Sequence, residues 1–482
     1  MLFMYISITS HQNLSTIVRT LAQCGGPLSP FKEIFYKLHA MINRWEYKHH
    51  QACSIAAKMV KEPCIRDFLS RLSQALSVGT TISNFMKVEY AKFTITSQRE
   101  FQSMIDRLRV LSDAYSAIIT AGTVVSISML ITTMLMGSGS LLILPLIFIG
   151  IVTSASSLSF LMYSTGVKQS IINDLPNRQD SLKIISTLGR FICYLTIPFV
   201  LTLFLILNKD LNTPFSLIFG LNLSFIIPGI LASSIGRIGL REIKKIKSLE
   251  EQYTIFIKVL GEASAIAGSL HGGLFMILHN DYGRLNPLIK KLVERIKLSL
   301  EKEISWIAFA GETGSRLIFN LTSILLKAIE IGSSLRETCY SLFEAANEDL
   351  VRRAKREQVA NYLKGLIYPI QGTFVAILSL TCALMGILQR FAQYSTHYGN
   401  VVIVPSIDLS AIELFSFFII LSLIVINALS IYFIDGSNSF TFLSNLGSLF
   451  ILAGVVGMLV KIFSINILGI FTQFESRLEG AM

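Results

Sequence analysis

LSQALSVGTTISNF at residues 72–85 and LTSILLKAIEIGSSLRET at residues 321–338 read as two copies of one polar helical unit. A single offset of 253 positions, with no gap, sets Leu72 on Leu325, Ala75 on Ala328, Leu76 on Ile329 and Gly79 on Gly332. The same offset carries Ile82 to Leu335 and Tyr115 to Tyr368, where each copy meets a long apolar run. In both copies apolar residues recur at three- and four-residue steps: Phe68, Leu72, Leu76, Ile82 and Phe85, then Leu321, Leu325, Ile329 and Leu335. That is the period of an amphipathic helix, and no useful length of strand-like alternation interrupts it. A glycine inside a helix costs about 1 kcal/mol relative to alanine. Gly79 and Gly332 therefore mark either a close crossing or break of a helix, or two ordinary helix ends.

Related segments open both units: IVRTLAQCGGPLSPF from Ile17 and IFIKVLGEASAIAGSLHGGL from Ile255. Gly26-Pro27-Leu28 and Gly268-Ser269-Leu270 occupy comparable places, each a glycine turn between helices. The second unit then holds about 11 extra residues, expected near 279–287.

Between and after these units the chain is apolar. Of its 482 residues 52% are hydrophobic and only 15% charged, with a mean hydropathy of +0.59. Soluble domains carry about 25% charge, so this is the composition of an integral membrane protein. Seven runs approach or exceed the roughly 20 apolar residues that cross a bilayer. They lie at 117–136, 140–163, 191–207, 214–235, 368–388, 412–434 and 441–460. The expected fold is all-α and polytopic, with about seven transmembrane helices and two duplicated cytoplasmic helical bundles. The blocks are 1–116 (first bundle), 117–235 (four spans around a loop at 164–190), 236–367 (second bundle) and 368–482 (about three spans). Residues 1–8 are apolar but short, without a basic leader or a small-residue cleavage site, so no cleavable signal is expected.

Basic residues set the orientation. Placing 1–116, 164–190 and 236–367 in the cytoplasm puts 38 of the 42 Lys and Arg there, with the N-terminus inside. One loop dissents: 435–440 should be cytoplasmic and carries no basic residue. Lys461 is expected to snorkel to the outer interface, leaving 462–471 on the outer surface or re-entrant. The net charge of +11 is that of juxtamembrane cations beside acidic inner-leaflet lipid. No basic stripe interleaved with aromatics supports nucleic-acid binding.

Chemistry is thin. No cofactor, metal or catalytic residue is expected. Six cysteines offer no C-x-x-C pair, which argues against zinc and disulfides. The run Gly311-Glu312-Thr313-Gly314-Ser315-Arg316 lacks the lysine of a phosphate-binding loop. No acidic residue lies within the seven spans apart from Glu413 near an end, which argues against an ion-coupled transporter. Two basic clusters remain. Arg237, Arg241, Lys244, Lys245 and Lys247 follow the fourth span and suit inner-leaflet lipid. Arg352, Arg353, Lys355 and Arg356 precede the fifth span, with 352 and 356 on one helical face open to an acidic partner.

In VRTLAQCGGPL, EPCIRDFLSRLSQALSVGTTISNF and LTSILLKAIEIGSSLRETCYSLF, together with the order of polar units and spans, the chain resembles the assembly-platform proteins of type IV pilus-like machines, built on the type II secretion F domain. Two such units in one chain, four spans between them and about three after, look like the archaeal archaellum or pilus form. The resemblance implies a non-enzymatic scaffold of the cell membrane, involved in secretion. It also implies a hexameric secretion ATPase docked on the cytoplasmic side, pilin or archaellin subunits as clients, and a homodimer. ATPase docking then falls to Arg352, Arg353, Lys355 and Arg356. The rival is a repeat-built small-molecule membrane transporter, for which Pro145, Pro198 and Pro228 are the suggestive span prolines.

Overall fold

The computed structural model describes residues 1–9, 13–23, 31–136, 143–166, 187, 196, 198–204, 221–298, 301–395, 409–436 and 439–479. Among them there is no strand. The helices are α1 (Leu2–Thr9), α2 (Leu14–Gln23), α3 (Lys32–Asn43), α4 (His49–Met59), α5 (Pro63–Ser77), α6 (Ile82–Met136) and α7 (Ile143–Thr165). There follow α8 (Leu221–Ala267), α9 (Leu270–Met276), α10 (Asn286–Lys297), α11 (Lys302–Glu312) and α12 (Arg316–Glu330). The chain closes with α13 (Leu335–Ser395), α14 (Leu409–Ile434) and α15 (Ser439–Glu479).

Six of these helices are long and apolar enough to cross a membrane: those containing Ile82–Met129, Phe148–Thr165, Asn222–Ala267, Leu335–Gly386, Leu414–Ile434 and Ser439–Ser464. The chain is therefore an all-α, multi-pass membrane protein. The span expected at 191–207 falls largely outside the described residues, as do the loop at 164–190, the link at 137–140 and the turn at Gly26-Pro27-Leu28.

The chain divides into two compact units. The first comprises residues 1–103, 171–180 and 243–353; the second comprises 104–170, 181–242 and 354–482.

In the first unit the sequence repeat becomes a structural one. α4 and α11 begin and end 253 positions apart, as do α5 and α12, and α6 and α13 begin at the same offset. α3 and α10 are 254 apart, because the connection after α10 is one residue shorter. The extra residues of the second copy form α9 and the turn at 277–285. Pro63 starts α5, where its missing N–H costs nothing, and the Ser315 hydroxyl caps α12 by accepting from the Ile318 N–H at 3.2 Å. Each helix buries the face its spacing foretells: Phe68, Leu69 and Leu72 on α5, Leu321, Thr322 and Leu325 on α12.

Gly79 and Gly332 end those two helices identically. Gly79 N–H donates to the Leu76 carbonyl and Thr80 N–H to Ala75; Gly332 donates to Ile329 and Ser333 to Ala328. Both glycines have positive φ, +82° and +88°. This is the αL termination that satisfies the last carbonyls of a helix, and it favours glycine because a Cβ strains there. Of the two sequence readings, helix ends is the correct one.

Each copy has its own apolar core. The first gathers Val18, Leu38, Leu69, Leu72 and Met86; the second gathers Tyr253, Phe256, Leu292, Trp306, Phe309 and Leu325. α1 belongs to both, with Phe3, Met4 and Ile8 in the first core and Ile6 in the second. Side chains of this size contribute about 1.5–3 kcal/mol each on full burial.

In the second unit α8 and α15 run antiparallel at very short range. A Cβ on Gly236 would lie 2.4 Å from the Ser444 nitrogen, one on Gly447 2.3 Å from Ser233, and one on Gly454 2.4 Å from Ile226. Small residues at such contacts let helix backbones approach in lipid, where no hydrophobic drive separates lipid from protein. Phe225 stacks between Phe417 and Phe450 beside that seam. α15 continues without a break through Lys461 to Glu479, so the chain does not turn back at 462–471 as a re-entrant segment would. The run holds no proline, and its apolar residues extend the helix through Gly469.

Candidate functional site

Two polar constellations stand out, one in each unit. In the second unit the paired tyrosines of the repeat each engage an asparagine. The Tyr115 hydroxyl on α6 donates to Asn427 Oδ1 on α14 at 2.6 Å, and Asn427 Nδ2 donates to Gln371 Oε1 on α13 at 2.8 Å. The Tyr368 hydroxyl on α13 donates to Asn445 Oδ1 on α15 at 3.2 Å. Tyr115, Gln371 and Asn427 are almost wholly buried. Four helices are thus tied by side-chain hydrogen bonds inside an apolar block. Sequence reasoning marked the tyrosines and missed the amides. Amide side chains within apolar runs were the available signal, in INALS around Asn427 and LSNLG around Asn445.

The basic cluster on α13 is placed differently from the expectation. Arg352 pairs with Glu348, donates to Ser97 Oγ at 2.9 Å and lies over the Phe101 ring at 5.7 Å. Arg353 donates to Glu250 Oε2 at 2.8 Å and bridges to Asp349 at 2.6 Å. Glu250 also accepts from the Ser315 hydroxyl and is fully buried. Burial holds its carboxyl above the usual range, against the opposing pull of Arg353 and Ser315. That carboxyl occupies the N-terminal end of α12, where an anion would have to sit if 311–316 cradled phosphate.

Arg356 is only 3% exposed, in the second unit. Its Nε donates to the Ile434 carbonyl at 2.6 Å and its other nitrogen to Phe433 at 3.2 Å. A cation at a helix C-terminus satisfies orphan carbonyls and opposes the helix dipole, so Arg356 caps α14. Arg352 and Arg356 therefore do not present one open face to a partner: internal acids and carbonyls already hold both. Lys355 is exposed.

Arg356 also bears on the dissenting loop. A Cβ on Gly166 would come within 3.1 Å of its guanidinium, and one on Gly436 within 3.6 Å. The end of α7, the turn after α14 and this part of α13 thus lie together on one side. α13 therefore brings a basic residue to the start of the 435–440 turn, which has none of its own.

The other cluster follows helical geometry. Arg237, Arg241, Lys244 and Lys245 are exposed and Lys247 half-buried, while Gly236, Gly239, Ile243 and Ile246 face inward. Of the described cysteines Cys53 and Cys339 are buried and Cys64 is exposed, and burial pushes the Cys53 thiol up to about 12.

Positions about 253 apart also touch each other. In the second unit Arg109 lies over the ring of Tyr362, its repeat equivalent, at 5.7 Å, and the Tyr362 hydroxyl donates to Asp113 at 2.8 Å. In the first unit Arg352 reaches Ser97 and Phe101, two positions either side of its equivalent, Arg99. Contact between equivalent residues is what a twofold pairing produces, here between the repeated helices α6 and α13.

No known protein-family profile matches the chain, and no solved structure matches it. Two curated proteins do. The chain is 23% identical over 488 residues to "Flagella accessory protein J" of Methanocaldococcus jannaschii, covering 96% of this chain and 83% of that one. It is 21% identical over 385 residues to "Flagella accessory protein J" of Methanococcus voltae, covering 77% of this chain and 66% of that one.

Proposed function

We propose that this chain is the membrane platform of an archaellum or a related archaeal pilus machine. The observation that carries the reading is similarity along 96% of the chain to a flagella accessory protein J. In this reading the two copies in the first unit are a tandem pair of F domains in the cytoplasm, and the apolar helices lie in the cytoplasmic membrane. A hexameric secretion ATPase docks on the polar copies, and pilin-like subunits are guided into the filament past the spans. The chain itself is a scaffold without catalysis. Its helices α6 and α13 run unbroken from a polar, lobe-forming half into a membrane-crossing half, which suits passing displacement without a slack loop. On α13, ATPase contact would fall to Lys355 and the outer side of Arg352. Arg237, Arg241, Lys244, Lys245 and Lys247 would hold acidic inner-leaflet lipid.

Deleting the gene in its own organism should remove surface filaments, and the tagged chain should retrieve a secretion ATPase from solubilised membranes. A deletion strain that still assembles every surface filament would overturn the proposal.

A further inference from the structure

The two tryptophans of the chain have opposite fates. Trp306 is wholly buried in the second core, whereas Trp45 is 64% exposed. Trp45 sits in the connection between α3 and α4, residues 44–48, which read RWEYK. The backbone there is firmly held. The Ala40 carbonyl accepts from the Arg44 and Trp45 N–H groups at 2.9 and 3.2 Å, and the Met41 carbonyl accepts from Tyr47 at 3.1 Å. Among the described residues Glu46 is the one non-glycine with positive φ, at +52°. Such a conformation is disfavoured for a side-chain-bearing residue and persists only where its surroundings impose it. The result is a knob: Trp45 and Tyr47, the latter 42% exposed, meet edge to face at 6.3 Å and point away from the core. Arg44 and Lys48 flank them, and neither has an ion-pair partner among the described residues.

The sister copy shows that this knob is not needed for folding. The register of the repeat sets 44–48 against residues 298–301, which read LSLE, one residue shorter and without aromatic or cation. The same helix pair forms on either side of both connections. The aromatic and basic side chains of 44–48 are therefore extra to the common framework, and they break the internal symmetry of the first unit.

We propose that the 44–48 loop is a docking knob for a protein with an acidic surface; resting on the platform reading above, that partner is the secretion ATPase. Trp, Tyr and Arg are the residues that carry binding energy at protein interfaces, and here they are rigidly presented. Arg44 and Lys48 supply the complementary charge, which makes association fall as salt rises. A lipid surface is the poorer occupant, because Glu46 at the tip of the loop would face anionic headgroups.

The test uses the full chain in nanodiscs, labelled with 5-fluorotryptophan, and the purified secretion ATPase of the same organism. Two fluorine resonances are expected, assigned with Trp45→Phe. Adding the ATPase should shift or broaden the Trp45 signal and leave Trp306 unmoved. Trp45→Ala, and separately Arg44→Glu with Lys48→Glu, should weaken binding at least tenfold with an unchanged melting temperature. If the ATPase binds while the Trp45 signal and both variants behave as wild type, the knob is wrong and the platform reading stands. If the ATPase does not bind the wild-type chain, the platform reading fails and takes this partner with it. A Trp45 signal that responds to anionic but not neutral lipid, with no ATPase present, would overturn the inference in favour of a membrane contact.

Discussion

Tyr115 and Tyr368 are equivalent in the repeat, and each spends its hydroxyl on an asparagine from a different helix. Within an apolar block such bonds contribute on the order of 0.6 kcal/mol, with the best near 1.7. Leaving one partner unpaired costs more than removing both. Tyr115→Phe should therefore lower stability by about 1–2 kcal/mol, because Asn427 Oδ1 loses its donor in a buried site. Adding Asn427→Leu should recover part of that loss, and a thermal-shift series in detergent would read it. Simple addition of the two effects would show that the hydrogen bond is not the source. Glu250 makes a second test at this scale. Burial raises its carboxyl above the ordinary value of 4.5, the Arg353 and Ser315 contacts only partly opposing it. A carboxyl with a raised folded pKa takes up a proton on folding. Its contribution is fully present below 4.5 and is lost as pH rises toward the raised folded value. The stability difference between wild type and Glu250→Gln should accordingly grow in favour of wild type as pH falls through that window. A difference that shrinks on acidification would mean that Arg353, not burial, dominates the site.

Among elements, the seam of α8 and α15 is held by what is missing from its side chains. At Gly236 an added Cβ would collide with the Ser444 backbone, which cannot rotate aside. Gly365 on α13 is the control, since a Cβ there meets nothing within 4 Å. Gly236→Ala should cost several kcal/mol and reduce the folded protein recovered from membranes, as overpacking does. Gly365→Ala should be neutral or stabilising by up to about 1 kcal/mol, the helix-propensity gain. Equal melting temperatures for the two variants would sink the close-packing account. These elements differ in how far the sequence discloses them. The 3.6-residue period of 68–85 and 321–335 reveals α5, α12 and the starts of α6 and α13, because one apolar face is the whole requirement for such a helix. Glycine alone is ambiguous. Gly79 and Gly236 look alike in a string, yet one ends a helix and the other lets two helices touch, and only the partner backbone distinguishes them. The basic cluster on α13 misleads for a related reason. Four cations in five residues look surplus until Glu348 and Asp349, one turn earlier, and Glu250 and the end of α14, distant in sequence, take up Arg352, Arg353 and Arg356.

For the molecule as a whole, orientation follows from where charge collects and from what Arg356 brings together. In the proposed reading the positive-inside bias assigns both polar copies to the cytoplasmic face. Arg356, held to the carboxyl end of α14 and beside Gly166 and Gly436, ties the start of the 435–440 turn to the end of α7 and to its own stretch of α13. An orientation argued from loop charges alone would leave α14 and α15 free to invert. The buried guanidinium removes that freedom, because inverting the pair would carry the carboxyl end of α14 away from its cap. Single cysteines introduced at Ser83, the exposed Ser334 and Asp435 in a cysteine-free background should resist a membrane-impermeant maleimide applied to intact cells. All three should react once the membrane is opened, whereas a cysteine at Ser395 should react from outside. Labelling of Asp435→Cys in intact cells, with Ser334→Cys protected, would show that the α14–α15 turn faces outward and that Arg356 does not cap it in the membrane. Labelling of Ser334→Cys from outside would overturn the orientation of the polar copies and leave no cytoplasmic surface for an ATPase to reach.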